Sequence, residues 1–185
     1  MTDERLSLLR ERIRDVPDFP KEGILFRDIT PLLADVDAFR MCIQLMAERL
    51  DGAPVSSVIG IESRGFMFGA ALADKLGVGF IPVRKPGKLP AATYRAEYDL
   101  EYGSDAVEIH RDALGPGDRV VVVDDLIATG GTAKATGELV KQCATGELVK
   151  QCDAEVAAFV FVINLLALEG TKKLAPTPII TLLDY

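Results

Sequence analysis

The sequence predicts an α/β domain with a mostly parallel central sheet flanked by helices, and three observations carry that prediction. Residues 57–61 (SVIGI), 119–123 (RVVVV) and 156–163 (VAAFVFVI) are short runs dominated by apolar side chains, Val and Ile prominent among them. Such runs fit strands covered on both faces. Between them lie stretches with apolar residues at helical spacing, and that alternation is the mark of a parallel sheet crossed over by helices. The length, 185 residues, suits a single domain with a sizeable core.

The elements follow in order. The opening stretch, MTDERLSLLRERIRD, is charged and amphipathic, unlike a secretory signal. Residues 38–50 (AFRMCIQLMAERL) carry apolar side chains at helical spacing and predict a helix ahead of the first buried strand. Residues 66–76 predict a second helix, with Gly77 where a left-handed residue would end it. Residues 79–83 read as another short strand. Lys85-Pro86-Gly87-Lys88-Leu89-Pro90 then leads into a polar, aromatic segment, residues 91–103, expected to form a long loop or hairpin that acts as a lid.

Composition narrows the function classes. Apolar residues make up 49% and charged residues 26%, ordinary for a globular protein, and no apolar run approaches bilayer length. A cytoplasmic protein with no membrane partner is the expectation. The net charge of −7 argues against a nucleic-acid surface, although a few converging cations could still bind an anionic substrate. Cys42, Cys143 and Cys152 form no CxxC pair, so reduced thiols are expected rather than a zinc site or disulfide framework. The single His110 precedes Arg111-Asp112 and reads as structural.

The strongest chemical signal is RVVVVDDLIATGGT, residues 119–132. In open parallel sheets, ligands bind beyond the carboxyl ends of strands. Thr129-Gly130-Gly131-Thr132 can gather backbone N–H groups and two hydroxyls around one phosphate, and the following helix adds its N-terminal dipole. Asp124 and Asp125 are acceptors suited to sugar hydroxyls or to the hydration shell of magnesium. The plainer alternative is a strand-turn-helix with solvated acids. Neither GxxxxGK[ST] nor GxGxxG occurs, which weakens nucleoside triphosphate and dinucleotide readings.

The stretch VVVVDDLIATGGT resembles the phosphoribosyl-pyrophosphate (PRPP) binding motif of the type I phosphoribosyltransferases. Further segments are similar to the adenine-specific branch of that family: Pro17-Asp18-Phe19-Pro20, Gly23 to Ile29 (GILFRDI), Ile61 to Phe66 (IESRGF), residues 84–90 (RKPGKLP) and residues 98–103 (YDLEYG). The resemblance runs from about Arg12 to the C-terminus. It implies that fold, with a small N-terminal hood and a flexible lid, and transfer of phosphoribose from PRPP to N9 of adenine, giving AMP and pyrophosphate. It implies magnesium held mainly through PRPP and water, with no direct protein ligand, and a homodimer. Ala128, Thr129, Gly130, Gly131 and Thr132 would hold the 5′-phosphate, and Asp124 and Asp125 would contact the ribose and stabilise an oxocarbenium-like state. Arg64, Arg84, Lys85 and Lys88 would meet the pyrophosphate, the last three partly across the dimer interface. As a bare charge run, the last three would read as a solvated face. Phe26 and Leu126 would sandwich adenine, and main-chain groups at Leu25 and Arg27 would read its edge. Glu101 would exchange a proton with N7, and Tyr102 would help close the lid. A phosphoribosyltransferase for another base, or a noncatalytic PRPP-sensing regulator on the same fold, are the competing readings.

One feature departs from the family pattern. ATGELVKQC occurs at residues 135–143 and again, unchanged, at residues 144–152. Nine extra helical residues turn a helix by about 900° and lengthen it by about 14 Å, so Leu139 and Leu148 would face opposite sides of one continuous helix. Gly137 and Gly146 would each cost about 1 kcal/mol in a helix interior. The duplication at residues 135–152 is therefore expected to be an insertion within a single domain spanning residues 1–185. One copy would keep the packing and the other would be extruded near Cys143 to Thr145. Two copies are too few and too short for a solenoid.

Overall fold

The computed structural model describes residues 4–99, 104–144 and 154–185. The chain opens with helix α1 (Glu4–Arg10) and an antiparallel pair, β1 (Arg14–Pro17) with β2 (Leu25–Asp28). Helices α2 (Thr30–Ala34) and α3 (Val36–Arg49) follow. The Asp35 carboxylate starts α3 by accepting the main-chain N–H groups of Asp37 and Ala38 at 3.0 and 3.1 Å, satisfying donors that have no partner inside the helix. Strand β3 (Ser57–Ile61), helix α4 (Gly65–Leu76) and strand β4 (Gly79–Val83) form the first crossover unit. Gly77 ends α4 in the left-handed conformation, φ 69°, as its position in the sequence predicts. An antiparallel hairpin, β5 (Thr93–Asp99) with β6 (Ser104–His110), then precedes β7 (Arg119–Ile127), α5 (Gly131–Ala144) and β8 (Glu155–Asn164). Two short 3-10 helices, Leu166–Leu168 and Gly170–Leu174, lead to β9 (Ile179–Asp184).

Among the described residues, five strands form one parallel sheet in the order β4-β3-β7-β8-β9. From β3 the chain winds outward to β4; from β7 it winds the other way, to β8 and β9. The direction therefore reverses between β3 and β7, the place where a crevice opens at the carboxyl ends of parallel strands. Buried side chains fill both faces. On one, Val58, Val121, Val123, Val160 and Val162 meet Met46, Phe68 and Leu72 from α3 and α4. On the other, Ile59, Val120, Val122 and Phe161 meet Leu139 and Val140 from α5 and Val107 and Ile109 from the hairpin. Helices on one side, with a helix and a hairpin on the other, explain why the central strands carry no polar alternation.

The parallel-sheet expectation is borne out, with differences in extent. Strand β7 continues past the valine run through Asp124, Asp125 and Leu126 to Ile127, because β8 is long enough to pair with it up to Asn164. The segment at residues 91–103 begins as strand β5, and its remainder, residues 100–103, lies outside the described residues. The first copy of the repeat lies within α5: Ala135, Thr136, Gly137, Leu139 and Val140 are all buried. A side-chain carbon on Gly137 would sit 3.2 Å from Phe159 Cζ, so this glycine is where the helix meets the β8 ring. The rest of the second copy, beyond Ala144, lies outside the described residues, as does the expected extrusion there. Burial pushes the Cys42 thiol up to about 12 and the Cys143 thiol up to about 11, in keeping with inert, reduced cysteines. No described helix is long and apolar enough to cross a membrane.

Candidate active site

The crevice at the reversal point is a cleft of about 230 Å³. Strand β3 delivers Ile61 and Glu62 to one wall, and the turn into α4 delivers Arg64. Strand β7 and the loop after it deliver Asp124, Asp125, Leu126, Ala128, Thr129, Gly130, Gly131 and Thr132. Lys85 and Tyr98 close a third side.

The loop after β7 is shaped by close main-chain approaches. Gly130 has φ 75°, a left-handed conformation, and a side chain there would run into the main chain of Gly170. Gly170, in turn, abuts Ala128, so two glycines bring two chain segments together beneath the loop. Gly131 then opens α5, whose unpaired N–H groups and dipole favour an anion at this end.

Asp124 and Asp125 set the electrostatics. Asp125 is only 2% exposed, while Asp124 keeps access through the cleft, its Oδ1 accepting the Asp125 N–H at 2.9 Å. Burial, then the neighbouring Asp125 charge, pushes the Asp124 carboxyl well above the usual range. Burial also raises Asp125, partly offset by the Arg64 guanidinium. Arg64 Nε stands 2.8 Å from Asp125 Oδ2, yet that buried oxygen receives no aligned hydrogen bond, so the contact is an ion pair set off the N–H axis. Two adjacent carboxylates of raised pKa are poised for a hydroxyl donor or a developing positive charge. No group of three or more His, Cys, Asp or Glu side chains gathers among the described residues. That donor set fits a hydrated hard cation held through one or two carboxylates and substrate oxygens, not a cage built by protein.

The cations predicted for an anion divide into two groups. Arg64 and Lys85 line the cleft. The Lys85 ammonium contacts Asp105 and donates to the Tyr98 hydroxyl at 2.7 Å. Burial alone would lower its pKa, but these two partners hold it above the ordinary value. Arg84 and Lys88 do not line the cleft. Both are turned onto Glu62, with Arg84 Nε 3.2 Å from Oε2 and the Lys88 ammonium against Oε1. Glu62 also accepts the Lys85 N–H at 2.9 Å. Burial would raise Glu62, but the hydrogen bonds from Lys88, the Lys85 main chain and Arg84 hold it below the usual range.

Leu25, Phe26 and Arg27 lie on β2 and do not line the cleft. Phe26 reaches its edge through Arg64, whose Cζ stands 5.7 Å from the ring centroid, and Phe19 packs edge-on against it. The Arg27 side chain is engaged by Asp15 and lies over the Tyr185 ring, and its main chain pairs with β1 opposite Asp15. Glu101 and Tyr102 lie outside the described residues. Glu62, Tyr98, Asp105 and Gly170 also belong to the site's framework: Glu62 and Tyr98 lie in segments that carry the resemblance but receive no role from it, and Asp105 and Gly170 draw no notice in the sequence. An isolated acid, tyrosine or glycine signals nothing until folding brings its partner, often far along the chain, into contact.

Known proteins are similar to this chain in sequence and fold. The family model for the phosphoribosyl transferase domain matches residues 32–164. An adenine phosphoribosyltransferase of Synechococcus sp. is 55% identical over 177 residues, which cover 96% of this chain and 98% of the relative. One from Carboxydothermus hydrogenoformans is 55% identical over 177 residues, covering 96% and 99%. The crystal structure of adenine phosphoribosyltransferase from Thermoanaerobacter pseudethanolicus superposes with a TM-score of 0.90 at 48% identity, covering 97% of this chain and 99% of that one. The Saccharomyces cerevisiae structure, complexed with adenine and an imino-altritol bisphosphate, gives 0.87 at 41% identity, covering 97% and 99%.

Proposed function

The chain belongs to the adenine phosphoribosyltransferases, and from that premise we propose how its own residues divide the work. The protein transfers phosphoribose from PRPP to adenine, giving AMP and pyrophosphate. The observation that carries the assignment is the cleft between β3 and β7, where a phosphate-shaped loop, an acidic pair and two cations converge.

In this reading Ala128, Thr129, Gly130, Gly131 and Thr132 receive the 5′-phosphate at the α5 N-terminus. Asp124 and Asp125 accept from the ribose hydroxyls. As the C1–O bond to pyrophosphate breaks, their negative charge stabilises the oxocarbenium-like carbon. Arg64, Lys85, Arg84 and Lys88 take the pyrophosphate, whose oxygens suit a guanidinium fork and point-like ammonium groups. Adenine stacks between Phe26 and Leu126, its edge read by main-chain groups of Leu25 and Arg27. N9 attacks C1 while the ring proton at N7 passes to Glu101, so one C–N bond replaces one C–O bond. Tyr102 helps exclude water from the reactive carbon. Magnesium, carried by the pyrophosphate oxygens and water beside Asp124 and Asp125, would neutralise charge on the leaving group. The family resemblance supports a cytoplasmic homodimer.

The test is AMP formation from PRPP, magnesium and adenine by the purified protein, with hypoxanthine as control base. AMP and pyrophosphate in equal amounts, from adenine only, is the expected result. A product from hypoxanthine but not adenine overturns the base assignment, and no product from either returns the noncatalytic regulator.

A further inference from the structure

We propose that Glu62 is an internal counter-anion that holds Arg84 and Lys88 in reserve, and that pyrophosphate must displace it to recruit them. The inference rests on the reading of those two cations as pyrophosphate-binding. Glu62 stands at the cleft wall with its side chain only 10% exposed, whereas Arg84 and Lys88 do not line the cleft. Its two oxygens are divided between them, Oε2 to the Arg84 guanidinium and Oε1 to the Lys88 ammonium. The stretch is folded back on itself, since Arg84 Nη1 also donates to the Lys88 carbonyl at 3.1 Å. The Gly87 N–H is held at 3.0 Å by Glu108, which fixes the turn between the two cations. Lys85 is held separately, by Asp105 and Tyr98.

A carboxylate and a pyrophosphate oxygen pair present the same kind of acceptor to a guanidinium and an ammonium. Arg84 and Lys88 can therefore exchange one for the other without losing hydrogen bonds. The cost falls on Glu62. Its charge is left partly buried beside an arriving anion, with the Lys85 N–H as its remaining partner. That cost weakens pyrophosphate binding and eases product release. Were Glu62 merely a support that positions the two cations, removing its charge would weaken binding instead, so the two roles predict opposite signs.

The experiment is calorimetric titration of inorganic pyrophosphate, at fixed magnesium, into the wild type, Glu62→Gln, Glu62→Asp and Lys88→Ala. Glu62→Gln should bind pyrophosphate about tenfold tighter, with product inhibition strengthened in parallel and the KM for adenine unchanged. Glu62→Asp keeps the charge but is too short to serve both cations, and should fall between the wild type and Glu62→Gln. Lys88→Ala should bind about tenfold weaker. If Lys88→Ala weakens binding while the Glu62 variants leave it unchanged or weaken it, the counter-anion role is overturned and the reading of the cations stands. If Lys88→Ala has no effect, the reading of the cations fails. Should Glu62→Gln not fold, Glu62→Asp decides by the same sign.

Discussion

In the proposed role, Asp124 would serve chemistry at the expense of the fold. Its carboxyl is held well above the ordinary range by burial and by Asp125, so the folded protein keeps this proton longer than the unfolded chain does. Stability from this group is greatest at low pH and is lost as pH rises from the usual carboxylate range through the raised value. Asp124→Asn removes the penalty. At neutral pH the variant should melt about 2–4 °C higher, as expected for roughly 1 kcal/mol in a chain of this size. The gain should shrink toward zero in acid, where wild-type Asp124 is protonated in both states. The same variant should lose about 100-fold in kcat/KM, having lost charge beside the reacting carbon. Melting curves across pH together with initial rates check both; an unchanged rate would remove Asp124 from the chemistry. Gly65 carries a steric counterpart. A side-chain carbon there would lie 2.6 Å from the Val123 carbonyl and 3.0 Å from Asp124 Oδ1. Gly65→Ala should therefore push α4 off β7, lowering both the melting temperature and activity. Asp124, Asp125 and the loop to Thr132 were legible in sequence because they are contiguous and end a buried strand. Glu62 was not, because its meaning lies in Arg84 and Lys88, which are distant along the chain and adjacent only after β3 and β4 pair.

Helix α5 is where the duplicated sequence meets the fold. Leu139 and Val140 are fully buried among Val107, Ile109 and Val122, and Gly137 meets the Phe159 ring, all supplied by the first copy. Leu139→Ala should cost about 2–5 kcal/mol, the range for emptying a buried leucine site, read from denaturant midpoints. Among the described residues, the apolar cluster around Leu139 and Val140 includes none of residues 144–152, and Ala144 closes α5 at the end opposite Gly131 and the loop before it. The shortened protein should retain activity within about twofold and melt no lower than the parent, since a shorter connection costs less to close. A shortened protein that unfolds or loses activity would show that the first copy alone does not suffice. Legibility at this scale followed burial. β3, β7 and β8 stand in the sequence as apolar runs because both faces are covered. Among the described residues strand β9 pairs with β8 alone and has a mixed burial pattern, and its apolar residues, IITLL, are interrupted by Thr181. Strands β1 and β2 span four residues each and, among the described residues, pair only with one another, too short for any period to show.

At the scale of the molecule, fold and function meet where the sheet reverses direction. An acidic chain of net charge −7 gathers cations and a helix N-terminus there, and sets an acidic pair against them. The free protein thus holds like charges together at Asp124 and Asp125 and opposite charges together at Glu62. In the proposed reading PRPP would change both, its hydroxyls donating to the first pair and its pyrophosphate oxygens accepting from the cations. Binding should therefore be visible as stabilisation of the whole fold, because a ligand that binds only the folded state adds RT ln(1 + [L]/Kd). Ribose 5-phosphate at 100 times its dissociation constant adds about 2.7 kcal/mol, or roughly 5–10 °C in melting temperature for a chain of this size. It carries the 5′-phosphate and the hydroxyls but no pyrophosphate, so it should stabilise the wild type and Glu62→Gln alike. PRPP with magnesium should stabilise Glu62→Gln more than the wild type, because only PRPP calls on Arg84 and Lys88. If ribose 5-phosphate gives no shift at saturating concentration, the loop after β7 is not the phosphate site, and the placement of the sugar in this cleft fails with it.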